Sequence, residues 1–265
     1  MSKFELAFDI ESFNELDTKI ALLACQDYNF GNEGDWFGAF RGGLFGFYSR
    51  IGGVKKHYFT VHEWIQAPKD PEYELSAIMF HMDSALECLI YAINALGNCV
   101  DKNIFIDIGS EKSLRKICPT NILGNNERGI YPISGYLKYF PLTQEYWKNN
   151  IGLIEKLTEL HDVSKHRETI YIGGKCRLDS PKGFFESMGI YEEYHKGPFL
   201  PMEEIILMGN PKIHRLTRLD GNLGKEGNIL LEDFAIEFTN FINKTGELLL
   251  TDSKMNIKLK YSNFQ

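Results

Sequence analysis

From Glu72 to Val100, apolar residues return at intervals of three and four: Leu75, Ile78, Met79, Met82, Leu86, Leu89, Ile90, Ile93 and Leu96. Sustained over about eight turns, that period predicts one long α-helix, started by Asp70-Pro71 and stopped at Gly97-Asn98. A continuous apolar stripe of this length needs other long elements to cover it. Two candidates follow. One begins at Thr143 and runs through Trp147, Ile151, Ile154, Leu157 and Leu160 to about Arg167. The other spans Leu230 to Leu250 and carries Leu231, Phe234, Ile236, Phe238, Phe241, Ile242 and Leu248. With 43% of 265 residues hydrophobic, the chain has enough apolar material for a sizeable core.

The first 66 residues have a different pattern. Phe4, Leu6, Phe8 and Ile10 alternate as in a half-buried strand, and Ile20 to Ala24 suits a short strand or helix. Residues 30–53 set Phe30, Trp36, Phe37, Phe40, Leu44, Phe45, Phe47 and Tyr48 among eight glycines. If this stretch is helical, Gly38, Gly42 and Gly46 form one flat face for a close-approaching backbone; the other reading is a Gly-aromatic hairpin or loop. Val54 to Gln66 is β-branched and aromatic and predicts a strand ending before Pro68. Residues 101–141 hold several breakers and predict a long connection with a short helix near Lys112 to Ile117, while 170–228 is irregular except for Ile205 to Met208. The expected fold is mostly α: an antiparallel helical bundle with short N-terminal strands and a loop-rich insertion. Residues 1–66 would pack on a helical domain of 67–265, itself interrupted at 101–141 and 168–228.

A net charge of −7 excludes a global positive field that would hold a polyanion, so any nucleic-acid contact must be local. Cys25, Cys88, Cys99, Cys118 and Cys176 are odd in number and contain no C-x-x-C pair, which reads as buried thiols in a reducing compartment. With acids early in the chain where a secretory signal would be apolar, the expectation is a cytoplasmic protein without a membrane anchor. Phosphate-loop, dinucleotide, His-Glu-x-x-His, Gly-x-Ser-x-Gly and EF-hand patterns are absent, and no cofactor is expected.

The densest cluster of reactive side chains is His161-Asp162-Val163-Ser164-Lys165-His166-Arg167, at the polar end of the helix begun at Thr143. Asp162 and His166 lie one turn apart, so the carboxylate can orient the imidazole and raise its proton affinity; the alternative is an exposed pair favoured by the helix dipole. His161 falls on the arc of Ile154 and Leu157, where a histidine is either a hydrogen-bonded core residue or part of the same site.

A long amphipathic helix, a variable connection and a second helix ending in this polar cluster resemble the HEPN superfamily, named for higher eukaryotic and prokaryotic nucleotide-binding domains. The family's histidine falls on His166, its small polar residue on Asp162 and its arginine on His161, so the arginine itself is missing. The resemblance covers residues 72–167 and the helix near 230–250. It implies a helical bundle that dimerises to bring two motifs together, with metal-independent ribonucleases of toxin or antiviral systems among its members and inactive scaffolds among the others. It further implies that His166 moves the 2′-hydroxyl proton and that a cation neutralises the phosphate, a role His161 fills only when protonated and for which Arg167 or Lys165 would substitute from different angles. RNA, a second copy of the chain or a protein partner is expected.

Polar interruptions of the first long helix, His81, Asp83 and Glu87, offer partners for His161 or Arg167 across the bundle. Two other chemistries remain open. His57, His62, Glu63 and His81 would form a metal centre, as in a metal-dependent hydrolase, if the fold gathered them. The run Arg41, Tyr48, Arg50, Lys55, Lys56 and His57 would make a phosphate-binding patch with stacking rings, or else divide into core aromatics and surface cations. A non-catalytic scaffold using the Gly-aromatic surface, Trp36 included, is the alternative function.

Overall fold

The computed structural model describes residues 6–26, 36–63, 72–124, 129–166, 171–174, 205–207 and 229–257. The described residues are mostly helical: α1 (Glu11–Gln26), α2 (Trp36–Glu63), α3 (Glu72–Val100), α4 (Glu111–Leu114), α5 (Pro119–Leu123), α6 (Ser134–Tyr139), α7 (Pro141–Asn149), α8 (Ile151–His166) and α9 (Leu231–Asn256). Strands β1 (Tyr171–Gly174), β2 (Ile205–Leu207) and β3 (Ile229–Leu230) form an antiparallel sheet in the order β1-β2-β3, with Tyr171 opposite Leu207 and Ile206 opposite Leu230.

The chain divides into two compact units. The first comprises Met1–Ala7, Ile51–Asp83 and Leu153–Thr239; the second comprises Phe8–Arg50, Ser84–Gly152 and Asn240–Gln265. In the first, Val54, Tyr58 and Val61 of α2, Leu75, Ile78, Met79 and Met82 of α3, Ile154, Leu157 and Leu160 of α8, and Phe234 and Phe238 of α9 are buried. There α2 and α3 run antiparallel: Gly53 lies against the His81 ring, and His57 meets Glu74 further back along α3.

In the second unit α2 and α3 are again antiparallel, with Gly43 against Ala92 and Gly46 against Cys88. A Cβ on Gly43 would sit 2.9 Å from the Ala92 Cβ and from the Cys88 carbonyl, so only glycine allows this approach. Helix α1 buries Phe13, Leu16, Ile20 and Ala24, and it runs parallel to α9: Phe13 covers Gly246, and the Lys19 ammonium donates to the Ser253 carbonyl. Trp147 is fully buried and donates its indole N–H to Thr245 at 3.0 Å.

Several expectations need correction. Residues 36–63 form one helix, so the strand expected from Val54 is absent, and the helical reading of the Gly-aromatic region holds. The glycine face is also different. Gly46 does face α3 closely, at Cys88, as expected, but Gly42 has nothing within 4 Å of a Cβ, and the other close approaches use Gly43 and Gly53. Residues 6–10 pair with no strand among the described residues, although Leu6 and Phe8 are buried and Ala7 and Asp9 exposed. The helix expected from Thr143 to Arg167 is two helices, α7 and α8, which break at Asn150, whose side chain donates to the Tyr146 carbonyl. Within residues 101–141 the short helix expected near Lys112 is α4, and α5 and α6 are two further helices that the breakers concealed. Cys25 is exposed and Cys88, Cys99 and Cys118 are half-buried, not the buried thiols expected; Cys176 lies outside the described residues.

Helix α3 is long and apolar enough to cross a bilayer. Its apolar stripe, however, is covered by protein: Leu75, Ile78, Met79, Met82, Leu86 and Ile93 are almost wholly buried.

Candidate functional site

Asp83 interrupts the apolar stripe of α3 between Met82 and Ala85, and its side chain is 10% exposed. A carboxylate placed so deeply needs partners, because desolvation of an isolated charge costs several kcal/mol, about 3–5 when a partner is removed. Helix α8 supplies them. His161 donates from Nδ1 to Asp83 Oδ2 at 2.6 Å, and the Thr158 hydroxyl donates to Oδ1 at 3.2 Å. Thr158 and His161 are three residues apart, hence on one face of α8, and together they occupy both carboxylate oxygens. Their spacing continues to Lys165, which is exposed one turn beyond His161.

Two consequences follow for the His161 ring, whose side chain is 12% exposed. Donation from Nδ1 places the lone pair of the neutral imidazole on Nε2, and the carboxylate fixes the orientation of the ring. An oriented imidazole with a carboxylate behind it is a general base in waiting.

A second pair of the same kind lies within this unit. His57 of α2 meets Glu74 of α3, Nδ1 to Oε2 at 2.5 Å, with side chains 16% and 11% exposed. The His57 ring stacks on His81 at 5.2 Å and 20°. Gly53 permits this, since a Cβ there would stand 2.6 Å from the His81 ring. Phe80 then contacts His81 at 5.2 Å and His161 at 5.5 Å, both edge-to-face. Beside His57, burial and the nearby Glu232 carboxylate hold the Tyr58 hydroxyl well above the usual phenol range.

Among the residues expected from sequence, His161 is joined to α3 as one of the foreseen pairings, through Asp83 rather than Glu87, which is exposed. Asp162 is exposed, His166 belongs to the last turn of α8, and the His166 side chain and Arg167 lie outside the described residues. Of the proposed metal set, the side chains of His57 and His81 are described. His57 is on a helix, its Nδ1 is engaged by Glu74, and no group of three or more His, Cys, Asp or Glu side chains among the described residues is arranged to hold an ion. The side chains of His62 and Glu63 are outside the described residues.

The basic-aromatic run does not form one patch. Arg41 pairs with Asp17 at 3.3 Å and lies over the Phe37 and Phe45 rings, and Tyr48 donates to Asn14. Arg50 is drawn to the Cys88 thiol, whose proton affinity burial raises and Arg50 partly lowers, while Lys55 and Lys56 are exposed. Sequence reasoning missed Glu74, Phe80 and Thr158. For Thr158 a signal existed, its i,i+3 relation to His161; for Glu74 and Phe80 the pairing is purely tertiary.

No family model matches the chain, and neither a curated protein nor a solved structure does.

Proposed function

We propose that the protein is an HEPN-like helical bundle of the cytoplasm that binds and cleaves RNA without metal, with His161 and Asp83 as its proton-transfer pair. The observation that carries the reading is the 2.6 Å contact from His161 Nδ1 to Asp83, which leaves Nε2 to accept a proton. In the proposed step Nε2 removes the 2′-hydroxyl proton, the 2′-oxygen bonds to phosphorus, and the bond to the 5′-oxygen breaks. The leaving oxygen is protonated from solvent, giving a 2′,3′-cyclic phosphate and a 5′-hydroxyl. The resemblance assigns this work to His166; the contact with Asp83 supports His161 for it, with exposed Lys165 on the same face as the cation for the phosphate. A homodimer and a toxin or antiviral setting belong to the same reading and rest on the resemblance alone.

Total RNA or tRNA incubated with the protein in EDTA is the test. The expected result is cleavage ending in cyclic phosphate, slowed about 10²- to 10⁴-fold by His161→Ala and less by Asp83→Asn. Intact RNA at micromolar protein, or full activity in His161→Ala, contradicts the proposal.

A second reading, a non-catalytic interaction protein, is favoured by Phe45, which is 52% exposed on α2 beneath the Arg41 guanidinium. It predicts a stable complex in a pull-down, no cleavage, and loss of the complex in Phe45→Ser.

A further inference from the structure

In the second unit, Lys19 of α1 and Lys254 of α9 bring two amines together near the C-terminal end of α9. Only one of them has a carboxylate. Glu15, one turn before Lys19, pairs across with Lys254 at 2.6 Å instead of with its i,i+4 neighbour on α1. Among the described residues no carboxylate pairs with Lys19, which donates to the Ser253 carbonyl. The remaining charges close by are committed elsewhere: Asp17 holds Arg41, and Asp252 is turned to α7, where it accepts from Leu142 and Thr143. Half-buried and next to Lys254, the Lys19 amine is held down to about 8, so half of it carries a free lone pair at that pH. A second feature lies on the residue that holds this amine. The Ser253 hydroxyl is wholly buried and has no hydrogen-bond partner among the described residues, although the Ser253 carbonyl receives both Lys19 and the Ile257 N–H. A buried hydroxyl with an unused proton costs stability and calls for an acceptor.

We propose that Lys19 is a carbon dioxide site, converted reversibly to its carbamate, with the Lys254 ammonium as counter-ion and the Ser253 hydroxyl as hydrogen-bond donor to the new carboxylate. The nitrogen lone pair attacks the carbon of CO2, an N–C bond forms, and one C–O π pair moves onto oxygen. The nitrogen then releases one proton to solvent, so neutral amine and CO2 give a carbamate anion and H+. The N–H that remains keeps the bond to the Ser253 carbonyl. Lys254 can serve the new anion as well as Glu15, because an ammonium has three donors and a single Glu15 oxygen engages one. Carbon dioxide suits the place because it is small and neutral on arrival and an anion once bound, so it reaches a half-buried amine and leaves charge where a cation and a donor stand ready. The product replaces two facing amines by an ion pair between α1 and α9, and CO2 taken up by the folded chain stabilises it by mass action. The inference is independent of the RNA reading.

The experiment equilibrates the full chain with 13C-labelled bicarbonate and CO2 at a pH of about 8, traps carbamates as ethyl esters with triethyloxonium, and locates them by peptide mass spectrometry. The wild-type protein carries its own controls, the exposed lysines Lys56 and Lys148. The proposal expects the Lys19 adduct to exceed theirs by about tenfold or more, and to fade as the pH is lowered by about two units, where the protonated amine has no lone pair to give. Lys254→Met and Ser253→Ala should each lower the trapped fraction several-fold, both being checked for a retained cooperative melt. Ser253→Ala changes no charge, so its loss isolates the hydroxyl donor. Absence of an adduct on Lys19, or one within about twofold of the adducts on Lys56 and Lys148, overturns the proposal. An adduct that stays unchanged in both variants also overturns it, since an amine without a built site would then account for the reaction.

Discussion

Helix α7 is capped by a residue 110 positions away. Its first turn begins at Pro141 behind Phe140, which makes no side-chain cap, and the buried Asp252 of α9 accepts from the Leu142 N–H at 3.3 Å, the Thr143 N–H at 2.9 Å and the Thr143 hydroxyl at 2.8 Å. Burial pushes the Asp252 carboxyl up, and the Thr143 and Leu142 donors partly oppose it. Asp252→Ala strands those donors and should lower unfolding stability by about 2 kcal/mol in a urea titration, with Asp252→Asn costing less. Lys19 gives a pH-dependent case. Burial, and then the neighbouring Lys254, lower its amine from 10.5 to about 8. The folded state thus releases the proton before the unfolded chain does, and stability should rise with pH between about 8 and 10.5. In Lys19→Met that rise disappears, so the stability difference between variant and wild type should change across this window; a difference constant in pH contradicts the assignment. At this scale the sequence was legible only where a polar residue broke an apolar stripe. Asp83 stood out for that reason, whereas Asp252 lies among Thr251 and Ser253, where an acid near a helix end has no visible task.

The elements were legible in proportion to how little they depended on their neighbours. Helix α3 follows from its own period. Helix α2 has an equally regular one, since Phe40, Leu44, Phe47, Ile51, Val54, Tyr58 and Val61 are all buried at alternating steps of four and three. Its glycines and its β-branched and aromatic second half conceal that period, because local propensity there favours loop and strand while tertiary packing favours helix. Contacts with α3 decide the matter, and they separate adjacent glycines by function. Gly43→Ala drives a methyl into Ala92 and the Cys88 carbonyl and should destabilise by about 1–3 kcal/mol. Gly42→Ala points into open space and should stabilise by about 0.5–1 kcal/mol through helix propensity alone. Thermal unfolding of the two single variants checks this directly, and equal effects would show that the α2–α3 approach is looser than described.

For the whole molecule, three long helices, α2, α3 and α9, each contribute residues to both compact units, so the chemistry of the first unit is built from segments far apart in sequence: 51–83 and 153–239. That is why the site was only half readable. The cluster at 161–167 marked where reactive side chains concentrate, but which of them is engaged across the unit depends on what α3 places opposite. There Asp83 selects His161, while Asp162 faces outward. The acidic chain also sets a limit on the proposed function, since net charge −7 gives no general affinity for polyanions. The most direct measurement is therefore a single-turnover cleavage of a defined single-stranded oligoribonucleotide in EDTA, beside the same oligomer with one 2′-deoxy nucleotide at the cut position. The account predicts cleavage of the first to a 2′,3′-cyclic phosphate, none of the second at that position, and loss of the first in His161→Ala. Equal cleavage of both oligomers, or none of either by the wild-type protein, contradicts it.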